Sequence, residues 1–211
     1  MYKKYLKRPL GLLLSIVGMP FFLLIFIFVA PAIYLEDKGP VLYNGERIGK
    51  NGKIFKMHKF RSMKVNAPDI RLSDGSTYNA IDDPRVTRVG KFLRETSIDE
   101  IPQILNIFKG EMSFIGPRPD PPDWINKYPV RYRNFLEVRP GITGYSQAYY
   151  RNSDDSFQKI VHDSYYANHL SFFMDAKILV RTVLTVIKHE NIYRIDDNST
   201  WEQKNINNKG E

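Results

Sequence analysis

Two neighbouring carboxylates, Asp99 and Glu100, stand in Arg94-Glu95-Thr96-Ser97-Ile98-Asp99-Glu100-Ile101-Pro102-Gln103, within an otherwise basic chain. A carboxylate pair among cations, on a chain with a greasy N-terminal segment, points to a metal ion and a phosphorylated lipid. An ordinary reading also exists. Ser97 with Glu100 fits a capping box, and Asp99 would complement a helix dipole. Pro102 leaves the register open. With Ser97 as N-cap it is the fifth helical residue, where an N–H is wanted; with Asp99 as N-cap it is the third, where none is needed.

The surrounding cations favour chemistry over capping. Arg94 lies just upstream of the pair. Gly116-Pro117-Arg118-Pro119 follows it and would hold Arg118 on a stiff, extended segment. Arg139-Pro140-Gly141-Ile142-Thr143-Gly144 is a second proline-braced arginine beside a glycine turn, and Lys59-Phe60-Arg61-Ser62-Met63 adds two cations. Guanidinium groups grip phosphate oxygens in a bidentate fork. Each of these residues could instead pair with a structural carboxylate or be solvated.

The elements that must position these groups come next. The chain has 211 residues and a net charge of +8, enough for one domain plus an appendage with anionic partners. It has no cysteine, which excludes disulfides, thiolate metal sites and a cysteine nucleophile. His58, His162, His169 and His189 are not at zinc-ligand spacing. Residues Pro9 to Leu35 carry no charged side chain and, as one helix, would be about 40 Å long, more than the ~30 Å hydrocarbon core needs. Pro20 interrupts this run and predicts a kink. Lys3, Lys4, Lys7 and Arg8 precede the run, and a largely basic segment from Lys38 to Lys64 follows it. The positive-inside rule places both flanks in the cytoplasm, so a helix-break-helix that enters and leaves one leaflet is expected.

Val41-Leu42-Tyr43 and Ile54-Phe55-Lys56-Met57 read as strands joined by Gly49-Lys50-Asn51-Gly52. Asn66 to Pro84 reads as a loop. Helical spacing recurs at Val86, Val89, Phe92 and Leu93, then at Ile101, Ile104, Leu105 and Phe108, with Gly110 as a stop. A further helix starts near Asp154 to Ser156. A long amphipathic one runs from about Ser171 to Lys188. Phe172, Phe173, Ile178, Leu179, Val183, Val186 and Ile187 of that helix can pack on the core or lie in the interface, with the core expected for most of them. The expected fold is a small α/β domain, short strands surrounded by helices (interface helices among them), on a re-entrant anchor. The divisions are an anchor at 1–37, a catalytic domain at 38–190 and a polar tail at 191–211.

Taken together, four segments resemble the bacterial sugar transferases, the monotopic phosphoglycosyl transferases. They are Lys59 to Met63, Thr96 to Gln103, Lys109 to Pro119 (Lys-Gly-Glu-Met-Ser-Phe-Ile-Gly-Pro-Arg-Pro), and Arg139 to Gly144. The resemblance implies transfer of a sugar phosphate from a nucleotide sugar, UDP-linked, to undecaprenyl (polyprenol) phosphate, with loss of the nucleoside monophosphate. It implies Asp99 as nucleophile, Glu100 in support, and Mg2+ held by Asp99 and Glu100. It also implies phosphate contacts from Arg94 and Arg118, extended to Lys59, Arg61 and Arg139, and makes Tyr145, Gln147 and Arg151 candidates for sugar or nucleotide recognition. The expected partners are the donor, the lipid phosphate and the membrane, with no nucleic acid and with a homodimer allowed. The expected location is the bacterial cytoplasmic membrane, on its cytoplasmic face. The chain departs from the pattern at Tyr145, where Trp is common, at Tyr150, where Gly is common, and at Gly11, where Asp is common. A membrane-tethered, non-catalytic binder of nucleic acid or anionic lipid would explain the charge and the greasy segment, but not the Asp-Glu pair.

Overall fold

The computed structural model describes residues 1–70, 78, 80, 83–150 and 156–187. Arg151, most of the expected loop from Asn66 to Pro84, and the tail from Asn191 lie outside the described residues or partly so.

Strands β1 (Leu42–Ile48) and β2 (Ile54–Phe60) form an antiparallel hairpin with Leu42 opposite Phe60 and Ile48 opposite Ile54. The expected turn closes it: Asn51 and Gly52 have φ of 56° and 76°, a conformation that asparagine and glycine adopt with least strain. Helix α1 (Lys7–Glu36) precedes the hairpin. Helix α2 (Arg88–Glu95) follows, with Thr87 as an N-cap accepting from Gly90 N at 2.9 Å. A 3-10 turn at Ile98–Gln103 leads into α3 (Ile104–Lys109), which ends on Gly110 at φ 88° as expected of its left-handed cap.

The sequence reading missed the second sheet. Strands β3 (Ser113–Ile115) and β4 (Gly141–Thr143) pair in parallel, Ser113 opposite Gly141 and Ile115 opposite Thr143. Three residues per strand are too few to show a period. Helices α4 (Tyr145–Tyr149), α5 (Ser156–His169) and α6 (Phe172–Ile187) complete the domain. Buried Trp124, Tyr128, Phe135, Tyr166 and Ile178 form its main core.

Two expectations are corrected here. Helix α1 runs through Pro20 and Pro31 as one helix, without the helix-break-helix interruption. A proline removes one helical hydrogen bond, and the rest of a long apolar helix can carry the backbone across that gap. On α6, Ile178 is buried, but Phe172, Phe173, Leu179 and Val183 are about half-exposed or more, so the core expectation fails for these four. The side chains of Val186 and Ile187 lie outside the described residues. Helix α4 with strands β3 and β4 covers one stripe of α6, and among the described residues nothing covers its other apolar residues.

Helix α1 does not stand off the domain. Gly11, Ser15, Phe22 and Ile33 are buried, and Met19, Phe26 and Val29 pack on the cluster of Phe22, Phe60, Leu93 and Ile104. These positions recur at intervals of three and four, one face of a single helix. Gly18 lets Ile104 approach, since a Cβ there would lie 2.6 Å from its Cδ1. Arg8 at one end donates to Ile107 O at 2.5 Å, and Glu36 at the other accepts from Arg88 N and Val89 N at 2.8 Å. The opposite face exposes Leu13, Val17, Phe21, Leu24, Ile27 and Phe28.

Candidate active site

Ser97 adopts φ 59°, a left-handed turn that costs a non-glycine residue about 1 kcal/mol. It reverses the chain between α2 and the 3-10 turn that carries Asp99 and Glu100. The register left open by the sequence is thereby settled. Ile98 opens the turn, Pro102 is its fifth residue, and the α-helix begins only at Ile104, beyond the missing donor. No side-chain cap forms at Ser97. Glu100 points elsewhere, so the capping box is not built.

Glu100 Oε1 accepts from Lys59 Nζ at 2.5 Å and from Arg118 Nη2 at 2.9 Å, while Oε2 accepts from Gln103 Nε2. Burial alone would raise this carboxyl; Arg118 and Lys59 overcome it and hold the group well below the usual carboxylate range. Burial lowers the Lys59 ammonium, with Glu100 opposing, and Glu100 raises the Arg118 guanidinium. Glu100 is thus the permanent counter-ion of two cations.

Asp99 differs from its neighbour. It is 8% exposed, and its carboxylate accepts no hydrogen bond among the described residues. Burial pushes its pKa up to about 6; Lys59 opposes, Glu100 adds to the rise, and Arg94 and Arg118 oppose. Two adjacent acids are therefore driven apart, one into a fixed ion pair and one into a basic, unpartnered carboxylate still ionised at neutral pH. Arg94 is held beside it by Nε donating to Ser62 Oγ at 2.9 Å. Ser62 is set by α2, where a Cβ on Gly90 would run into the Ser62 carbonyl. The side chain of Arg118 is 40% exposed, so a ligand can reach it while it holds Glu100.

The two glycine-rich motifs explain each other. A Cβ on Gly141 would strike the Gly116 nitrogen, and one on Gly144 would strike the Gly116 carbonyl. Ser113 N donates to Pro140 O at 2.8 Å, Gly116 N to Thr143 O at 2.8 Å and Gly141 N to Pro117 O at 2.9 Å. The segment Arg139 to Gly144 is thus the bed on which Pro117-Arg118-Pro119 lies.

Of the expected site residues, the structure brings together Asp99, Glu100, Arg94, Arg118 and Lys59. Two other cations, and the two described recognition candidates, are placed elsewhere. Arg61 Nε donates to Pro40 O at 2.6 Å and Nη1 to Asp37 Oδ2 at 2.7 Å, which ties down the end of α1. Arg139 Nε donates to Gly110 O at 2.8 Å, beyond the far end of α3 and beside Arg8. Tyr145 joins the rings of Tyr149, Tyr150, His162 and Tyr165, and Gln147 Nε2 donates to Ile142 O at 3.2 Å; neither bonds Asp99 or Glu100.

Lys159 is a residue the sequence reading missed. From α5 its Nζ donates to Asp120 Oδ2 at 2.7 Å and to the Arg118 carbonyl at 3.1 Å, and Asp163 Oδ2 is 3.6 Å away. It positions the backbone of Arg118. The only signal in the sequence was an i,i+4 Lys-Asp pair on an amphipathic helix, which is common. Gln103 and Ser62 were quoted in the motifs but given no role.

Among the described residues no group of three or more His, Asp or Glu could hold a metal. Glu100 has both oxygens on other donors. Asp99 is the one carboxylate of the pair with its oxygens free of hydrogen bonds. A magnesium ion that takes its other ligands from water and substrate phosphates needs only one or two carboxylates, so Asp99 fits that role and Glu100, as placed, does not.

A family model described as bacterial sugar transferase matches residues 2–189. The chain is 40% identical over 189 residues to galactosyl transferase CpsE of Streptococcus agalactiae, covering 86% of this chain and 42% of that protein. It is 34% identical over 207 residues to the undecaprenyl-phosphate galactose phosphotransferase of Salmonella typhimurium, covering 90% and 42%. It is 36% identical over 192 residues to the exopolysaccharide production protein ExoY of Rhizobium meliloti, covering 85% and 84%. The chain thus spans less than half the length of the first two relatives and most of the third.

Proposed function

This chain belongs to the bacterial sugar transferase family, and on that premise we propose that it moves a sugar 1-phosphate from a nucleotide sugar to undecaprenyl phosphate. One observation carries the mechanism: Asp99 is a buried carboxylate without a hydrogen bond among the described residues, beside a Glu100 saturated by Lys59, Arg118 and Gln103.

An ionised Asp99 oxygen attacks the phosphorus bound to the sugar. The bond from that phosphorus to the bridging oxygen breaks, and the nucleoside monophosphate, UMP for a UDP-sugar, departs with the electron pair. The sugar phosphate is left on Asp99 as an acyl phosphate. A phosphate oxygen of undecaprenyl phosphate then attacks the same phosphorus and frees the carboxylate. Attack of an anion on an anion needs positive charge at the reacting phosphate. Lys59 and Arg118 are already concentrated there by Glu100, and Arg94 stands by. When bound, Mg2+ would supply further neutralisation of the donor diphosphate, with Asp99 as its protein ligand.

The packing of α1 supports a monotopic placement. Both ends of the helix bond the same domain, so the two ends sit on one side while the exposed face of Leu13, Val17, Phe21 and Leu24 meets lipid. The exposed apolar residues of α6 fit the same interface. On this reading the site lies at the cytoplasmic face of the inner membrane, the side favoured by the basic flanks of the helix, at the depth of the acceptor's phosphate. By analogy with what its relatives are named for, the product would start a surface polysaccharide.

The test is a single-turnover experiment with UDP-sugars and Mg2+ but no lipid. A stoichiometric burst of UMP, with one sugar-phosphate mass on the peptide containing Asp99, is expected. No burst with any donor, or a reaction that runs only as a ternary complex without an adduct, overturns the mechanism.

A further inference from the structure

We propose that the cavity between the start of α1 and the loop at Arg139 is a second anion site that binds a phosphate group. It lies at the opposite end of α3 from Asp99 and does not rest on the Asp99 chemistry.

The cavity holds about 50 Å3 and is lined in part by Lys3, Arg8, Gly11, Lys50, Glu137 and Arg139. A water molecule needs roughly 10–15 Å3 on this scale, so there is room for several waters or one tetrahedral anion. The charges around it do not balance. Lys7 nearby is neutralised by Asp175. Among the described residues Arg8 bonds only carbonyls, Ile107 O at 2.5 Å and Phe108 O at 3.0 Å. Arg139 bonds one, Gly110 O through Nε, and its two terminal nitrogens have no partner among the described residues. Among the described residues no carboxylate forms an ion pair with either arginine. Glu137, the one acid in the lining, is exposed and 4.0 Å from Lys3.

Capping the last turn of α3 explains Arg8 and the Nε of Arg139. It does not explain why a second guanidinium is brought against the first with its fork left open. Carbonyl dipoles do not cancel a full charge, and burial together with Arg139 lowers the pKa of Arg8. A bound anion removes this repulsion and fills the fork. Arg8 immediately precedes the uncharged run that starts at Pro9, which sets the cavity at head-group depth. The phosphate can come from a membrane phosphodiester or from free phosphate, and the experiment separates the two.

Gly11 provides the decisive variant. A Cβ there would lie 3.9 Å from Ile107 Cγ2, an ordinary contact, so Gly11→Asp can place a carboxylate in the cavity without a clash at Cβ. Thermal unfolding of the full chain is measured in uncharged detergent, with inorganic phosphate, or with micelles doped with phosphatidylglycerol or phosphatidylcholine. At ten times the dissociation constant the binding arm should raise the melting temperature by about 3–6 °C for a chain this long. A response to phosphatidylglycerol alone identifies a lipid head group, and a response to inorganic phosphate identifies free anion. Gly11→Asp should melt higher than wild type without anion and lose the shift, while Gly11→Ala should keep it. Should Gly11→Asp fail to fold, Arg139→Gln decides: loss of the shift supports the site, and retention refutes it. The proposal also falls if neither anion shifts wild type, if Gly11→Asp responds as wild type does, or if the shift is lost in Arg118→Ala but kept in Arg139→Gln.

Discussion

Asp99→Asn should make the protein more stable while abolishing turnover, and the gain should follow pH in a specified way. Burial is the largest cause of the rise in the Asp99 pKa, from an ordinary 3.8 to about 6. The folded protein therefore prefers the protonated acid, and ionised Asp99 counts against folding. Below pH 3.8 the acid is protonated whether folded or not, and the cost is absent. It grows as pH rises through the interval and is complete above about 6. Each tenfold change in acidity constant is worth about 1.4 kcal/mol, so the full cost is about 3 kcal/mol. About half of it is present at pH 5. Asparagine has nearly the shape of the protonated acid and carries no charge at any pH. Asp99→Asn should thus melt about 6–12 °C above wild type at pH 8, and close to wild type near pH 4. The assay is thermal unfolding of both proteins in one detergent across that range, with UMP release measured on the same samples. An Asp99→Asn protein that melts below wild type at pH 8, or a difference independent of pH, would refute the reasoning that burial without a partner sets the carboxylate's basicity. Retained turnover would remove Asp99 as nucleophile.

Arg118→Ala should lower turnover by roughly 10-fold to 150-fold, since a charge-assisted contact is worth about 1.5–3 kcal/mol, and Arg118→Lys should recover little because a point charge lacks the fork; near-normal steady-state rates in both folded variants would defeat the assignment. Gly141→Ala should destabilise the domain by several kcal/mol, about as much as the largest single-site effects, because its Cβ meets the Gly116 backbone; a denaturation midpoint equal to wild type would show that the two motifs are not in contact. Single cysteines at Lys3 and Lys50, in a chain with none of its own, should both resist an impermeant thiol reagent in intact spheroplasts and both react in inside-out vesicles; opposite accessibility would rule out the monotopic placement.

Much was legible along the chain because it is written in local chemistry. The uncharged run from Pro9 to Leu35, the hairpin closed by Asn51 and Gly52, the stop at Gly110 and the Asp99-Glu100 pair each announce themselves within a few residues. The long motifs placed the chain among the sugar transferases, and that placement holds. What the sequence could not supply depends on groups far apart in it. Asp99 and Glu100 are adjacent acids of nearly equal intrinsic strength. Only the arrival of Lys59 from β2 and Arg118 from the loop after β3 makes one a fixed counter-ion and leaves the other basic. Arg118 and Arg139 both sit beside proline and glycine, yet in the packed fold of β3 with β4 the first reaches Glu100 and the second the end of α3 beside α1. Lys159 and Asp120 meet across 39 positions with no motif to join them. Helical and turn preferences act over a few residues, whereas charge partners and burial are decided by the packing of distant segments. The candidate carboxylate pair could therefore be read from the chain, and the charge state of each member only from the fold.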